Sequence, residues 1–227
     1  MTHLDTELQY LKADIREMWH LVISQLDKSR EALINFDKGL VNEIKVNEKM
    51  VDTYELKIDK DCENILALYN PVAVDLRFVL ASLKINYNLE RVGDYAYGIA
   101  KLIDDMDTPL DKDLGESTRV YEMFDICKEI LCNTLDSFEK ENNLLAREIF
   151  RREESLNQFN KDAKKLITDH MIKNPTDIHS AMNTMSLIRK LERVGDHVQN
   201  IAEEIIFYME AKVLKHKAIR KKIETKD

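Results

Sequence analysis

The hexapeptide LERVGD stands at residues 89–94 and again at 191–196. A chain that repeats itself at a fixed offset folds as copies of one unit. Extending the comparison to LERVGDYAYGIA (Leu89–Ala100) and LERVGDHVQNIA (Leu191–Ala202) gives an offset of 102 residues with eight of twelve positions identical. A proline precedes each copy, Pro71 by 19 residues from Glu90 and Pro175 by 17 residues from Glu192. Further upstream, Glu48 and Asp52 in one half match Glu153 and Asn157 in the other, each pair spaced i, i+4. The order of features is the same in both halves, so the chain reads as a tandem duplication with units over 1–110 and 111–227.

The punctuation within each unit predicts three helices. Only 5 Gly and 3 Pro occur in 227 residues, below the usual shares of about 7% and 5%, so the chain has few places to turn. In the first unit helices are expected over 4–36, 40–68 and 71–105, broken near Asp37–Gly39 and at Tyr69-Asn70-Pro71. In the second they are expected over 117–141, 143–173 and 175–215. The segment 104–117, acidic and holding Pro109 and Gly115, reads as the linker. Helices of 25–35 residues extend about 40–50 Å. The expected fold is therefore all-α, two tandem three-helix bundles built from six long helices. A hydrophobic content of 44% supplies the core that a disordered chain lacks. Trp19, Met18, Met182 and Met185 are expected to pack inside it.

At about 100° per residue, Leu191, Val194, Val198, Ile201 and Ile205 form one apolar stripe of the last helix. Glu192, Asp196, Asn200 and Glu203 form a second stripe nearly opposite. Leu89, Val92, Ala96, Ile99 and Ile103 repeat the apolar stripe in the first unit, and Glu90 and Asp94 repeat the acidic pair. There Gly98 and Lys101 replace the Asn and Glu. Carboxylates at i, i+4 lie about 6 Å apart and repel unless something neutralises them, although a polar stripe is also what any solvated helix face looks like. Gly93 and Gly195 sit inside helices at a cost of about 1 kcal/mol each relative to Ala, which points to close backbone approach. If the second and third helices are antiparallel neighbours, Glu48 and Asp52 join Glu90 and Asp94, and Glu153 and Asn157 join Glu192 and Asp196. Such oxygen donors suit Mg, Ca, Mn or iron rather than a structural zinc. His197, beside Asp196, either lends a nitrogen or is a solvated side chain.

At this point the residues resemble a known family. LALYNPVAVDLRFVLASLKINYNLERVGDYAYGIA (66–100) and LERVGDHVQNIAEEIIFYME (191–210) are similar to the two signatures of the PhoU family of phosphate-uptake regulators, and Thr2-His3-Leu4-Asp5 before a long helix fits that family's opening. The resemblance covers nearly the whole chain. It implies a six-helix, pseudo-twofold protein that forms homodimers in the cytoplasm. Its implied partners are the ATPase of the phosphate ABC transporter and a sensor histidine kinase, and its implied task is to hold phosphate uptake and starvation signalling down when phosphate is plentiful. It also implies metal binding (Fe, Zn, Mg or Mn) at Glu90 and Asp94, and at Glu192 and Asp196. Glu48, Asp52, Glu153 and Asn157 match the companion positions, and Asn200 extends the second site. Gly98 leaves the first site leaner along its third helix, and Asn157 leaves the second poorer along its second.

Other classes fit less well. A ferritin-like di-iron enzyme needs two Glu-x-x-His motifs, and one occurs, Glu17–His20, on a helix without the acidic repeat. There is no Gly-rich phosphate loop and no GxSxG, so no catalysis is expected. A metal-free helical adaptor stays open. The net charge of −8 argues against nucleic-acid binding, which needs a basic face. Lys212, Lys215, Lys217, Arg220, Lys221, Lys222 and Lys226 make the end of the chain basic. They read either as a solvated helix end or as a contact with an anionic surface. Cys62, Cys127 and Cys132 form no paired framework, so reduced thiols are expected. With no apolar run of about 18 residues and no secretory signal, membrane contact is expected only through partners.

Overall fold

The computed structural model describes residues 2–214, and Lys215, Lys217, Arg220, Lys221, Lys222 and Lys226 of the basic tail lie outside them. Within that range the protein is all helix: α1 (His3–Asn35), α2 (Gly39–Tyr69), α3 (Ala73–Asp104), α4 (Lys112–Ser117), α5 (Val120–Lys140), α6 (Asn143–Lys173) and α7 (Ile178–Glu210). No helix among the described residues is long and apolar enough to cross a membrane.

Local chemistry sets the helix ends. Thr2 and Asp5 form a reciprocal capping box: Asp5 N donates to Thr2 Oγ1 at 3.1 Å and Thr2 N donates to Asp5 Oδ2 at 2.7 Å. Two of the four orphan amides of α1 are thereby satisfied. α1 stops where Phe36 turns left-handed (φ 50°), and α5 stops the same way at Glu141 (φ 51°), 105 positions later. α2 ends on left-handed Asn70, directly before Pro71.

Two expectations need correction. The linker is not all loop, since α4 lies in it. Asp111 caps α4 through Leu114 N at 2.7 Å, and the buried pair Leu110 and Leu114 seals it where it packs on α5, α6 and α7. The count among the described residues is thus seven helices. The last helix ends at Glu210, not near 215, because Ala211 turns left-handed (φ 56°).

Within each half the three long helices pack on one another, α1 with α2 and α3, α5 with α6 and α7. The halves meet along α3–α7 and α1–α5. Both contacts run antiparallel: Lys84 Nζ meets Glu204 Oε2 at 3.0 Å and Asn88 Oδ1 meets Asn200 Nδ2 at 3.2 Å, while Lys12 meets Glu141 and Arg30 meets Asp125. This is pseudo-twofold symmetry. Tyr95 and His197, equivalent under the 102-residue offset, face each other near the axis with ring centroids 5.7 Å apart. One contiguous apolar core runs through both halves, from Leu11, Trp19 and Leu89 to Phe124, Leu191 and Ile205.

Met18, Trp19 and Met185 are in that core as expected, but Met182 is 54% exposed. It follows Ile178, itself exposed, by one turn on the outer face of α7. Cys62 and Cys127 are buried free thiols, and burial pushes the Cys62 thiol up to about 12.

Candidate metal centre

α2 lies antiparallel against α3, and their contact brings Glu48, Asp52 and Glu55 toward Glu90 and Asp94. The joint is tight because Gly93 has no side chain. A Cβ there would lie 3.3 Å from Glu48 Oε2, 3.0 Å from Gln25 Oε1 and 3.4 Å from Val51 Cγ1. Glu48 is consequently 7% exposed. Gln25, fully buried on α1, donates from Nε2 to Glu48 Oε2 at 2.6 Å, while its own Oε1 has no partner.

Charge crowding follows from this packing. Glu48 stands within hydrogen-bond reach of Asp94, and so does Glu90. Ionised carboxylates so close repel one another, which favours a proton or a cation there. Burial, with Asp94 and Asp52 nearby, raises the Glu48 carboxyl to about 7. Burial, then Asp94 and Glu55, does the same to Glu90, also to about 7. Glu55 is raised as well, by burial and then by Asp59, Asp52 and Asp94. Asp52 itself is exposed at the rim. Among the described residues Arg91 supplies a counter-charge, its Nη1 donating to Asp94 Oδ2 at 2.5 Å.

The second half builds the same joint with weaker charge. Glu153 is 6% exposed. A Cβ on Gly195 would fall 2.5 Å from Leu156 Cδ1 and 3.6 Å from Glu153 Cγ. Burial and then Asp196 raise the Glu153 carboxyl. Here Asn157 donates from Nδ2 to Glu153 Oε1 at 2.6 Å, so an amide replaces a carboxylate. Arg193 reaches both Asp196 Oδ2 at 2.8 Å and Glu192 Oε2 at 3.6 Å.

Two residues read as site candidates are placed elsewhere. Asn200 donates to Asn88 in the α3–α7 seam, because an i, i+4 row drifts by about 40° per step and two steps carry it off the Glu192 face. His197 is half-buried in the same seam and bonds Asn88 Oδ1 through Nδ1 at 2.9 Å; it is neither solvated nor turned to the carboxylates. Gly98 also belongs to that seam, since Lys190 Nζ lies 2.7 Å from where its Cβ would be. The acidic faces are not outward-facing stripes but half-buried grooves. Sequence reasoning missed Gln25, a polar residue on an apolar stripe, and the arginines of the motif itself.

In donor chemistry the first groove suits a hard divalent cation. Glu48, Glu90 and Asp94 offer only oxygens, they repel one another, and the unpartnered Gln25 Oε1 lies alongside. As they stand, no three His, Cys, Asp or Glu among the described residues already surround one point, so a cation would have to draw these carboxylates together. The second groove suits one less well, with Asn157 in place of a carboxylate.

The proton alternative has a measurable sign. Glu48 in the unfolded chain releases its proton near 4.5, whereas in the folded chain it holds it to about 7. Between those values the folded state binds more protons, so stability falls as pH rises and the loss is complete above about 7. In chelator, the Tm is expected to drop by several degrees from pH 5 to pH 8. Glu48→Gln should reduce that drop, Glu90 supplying much of the rest, and an unchanged slope in the variant would exclude Glu48 as a source.

An antiparallel pair of three-helix units, each packing a buried glutamate close to a helix glycine, defines a duplicated all-helical protein. The PhoU domain model matches residues 15–103 and 120–205. The chain belongs to the PhoU family. A phosphate-specific transport system accessory protein PhoU homolog of Borreliella burgdorferi is 32% identical over 210 residues, covering 90% of this chain and 93% of that relative. One from Pseudomonas putida is 28% identical over 221 residues, covering 96% and 84%. The crystal structure of PhoU from Pseudomonas aeruginosa superposes with a TM-score of 0.85 at 26% identity, covering 92% of this chain and all of that one.

Proposed function

We propose that this chain is a non-enzymatic regulator of phosphate uptake. It acts in the cytoplasm, as a homodimer, as an adaptor between the ATPase of the phosphate ABC transporter and a sensor histidine kinase, and it reaches the membrane only through them. The observation that carries this reading is similarity to phosphate-specific transport accessory proteins over 90% or more of the chain. Deleting the gene is expected to switch on phosphate-starvation genes in phosphate-rich medium, and the intact gene should restore repression. Unchanged reporter output after deletion would show that this copy has another job.

The same proposal gives the first groove a divalent cation, of the Mg, Mn or Fe type, held by Glu48, Glu90 and Asp94 with Asp52 at the rim, and a weaker one to Glu153, Glu192 and Asp196. Its support is the crowding of Glu48, Glu90 and Asp94, which Arg91 neutralises only in part, beside the unpartnered Gln25 Oε1. A metal-free adaptor is the second reading, favoured by the arginines that already pair Asp94 and Asp196. The two readings separate on one measurement. Bound Mn2+ raises the Tm more at pH 8 than at pH 5, because protons and cation compete for the same oxygens. No shift at either pH selects the metal-free adaptor.

A further inference from the structure

Each copy of the motif carries its own competitor for the cation. Arg91 and Arg193 fold back three residues along their helices onto Asp94 and Asp196. In the second groove Arg193 spans two carboxylates. In the first, Arg91 pairs with Asp94 alone, and its guanidinium also lies over the Tyr95 ring, 5.6 Å from the centroid. A guanidinium cannot shed its charge, so a cation arriving at Asp94 must expel it bodily. The Tyr95 ring, which it already faces, can then hold it by cation–π attraction. Tyr95 in turn contacts His197 across the α3–α7 seam, and His197 and Asn200 share Asn88 Oδ1.

We propose that Arg91 is a displaceable counter-ion that sets the affinity of the first groove for a divalent cation, and that Tyr95, whose ring it already faces, holds it once its pair with Asp94 breaks. The proposal rests on the cation reading given above. It makes Arg91 a positioning residue, and it predicts a gain where loss of a structural residue would give a loss.

The test is isothermal titration of the purified full-length chain with Mn2+ in wild type, Arg91→Met, Tyr95→Leu and the double variant, each first checked for wild-type helicity. Arg91→Met is expected to bind Mn2+ about 10-fold more tightly. Lys57→Met removes the same charge from α2, where Lys57 pairs with Asp14, and is expected to change the affinity less than about 2-fold, since an exposed charge at that range is screened. Tyr95→Leu should weaken binding about 3-fold in the wild-type background and have no effect beside Arg91→Met, the signature of coupled residues. Equal or weaker binding by Arg91→Met, with wild type still binding, overturns the counter-ion role and leaves the cation site standing. A Tyr95→Leu effect that persists in the double variant overturns the role of Tyr95 as the holder of displaced Arg91. If neither wild type nor Arg91→Met binds Mn2+, the cation reading falls and takes this proposal with it.

Discussion

Trp19→Ala is expected to lower the melting temperature of the whole chain by roughly 10 °C, in one transition. Truncating a buried large aromatic side chain costs about 3–5 kcal/mol, and a chain of this size loses about 2–4 °C per kcal/mol. Trp19 is fully buried, its ring stands 5.7 Å from that of Phe138, and its Nε1–H donates to the carbonyl of Leu131 at 3.2 Å. Both of those partners belong to α5, so the lesion lies in the first half and the lost contacts in the second. Because the core is continuous through both, the halves should melt together when followed by far-UV circular dichroism. Two separated transitions, only the lower one shifted, would show that each half folds alone.

The second large effect is expected at Gly93. Gly93→Val drives two methyls into Gln25, Glu48 and Val51, which already stand 3.0–3.4 Å from a bare Cβ. Overpacking of this kind costs about 1–3 kcal/mol, and the upper end applies because the displaced group is a buried carboxyl. The Tm should fall by about 5 °C or more. Gly195→Ala is the instructive contrast. Its closest neighbour is the terminal methyl of Leu156, which can rotate away, and alanine returns about 1 kcal/mol of helix propensity. The net change there should stay within about 1 kcal/mol of zero. Equal damage from Gly93→Ala and Gly195→Ala, measured by chemical denaturation, would mean that the close approach in the first half is not what fixes the residue.

Much of this architecture is legible in the sequence because duplication and helix punctuation are both local signals. The repeated hexapeptide, Asn70-Pro71 and Asn174-Pro175 place the long helices within a few residues. The two helical glycines announce close approach correctly, of Gln25 and Glu48 at Gly93 and of Leu156 at Gly195. Three things are not readable along the chain. Asn200 shares a stripe with Glu192 on paper, but helical drift and the neighbouring α3 decide which groove it enters. Gly98 looks like a thinned site and is a pocket for Lys190, a residue distant in sequence. Glu48 looks like a border residue, and only its burial over Gly93 beside Gln25 reveals why its acidity changes. The helix α4 is missed for a related reason. Its six residues are too few for periodicity to register, and Leu110 and Leu114 gain their meaning only from the helices they cover.

The pairs that line the α3–α7 seam have an evolutionary consequence. In a symmetric dimer of single-unit chains, both equivalent positions would carry the same residues, so any change would be imposed twice. Fusing the two units into one gene lifts that constraint. Asn88 with Asn200 on one side of the axis, and Lys190 with Gly98 on the other, are one ancestral contact that has diverged into two. Substitutions at position 98 should therefore track those at position 190 among related sequences, independently of the pair 88 and 200. The fused molecule is free to evolve two unlike grooves from one inherited design.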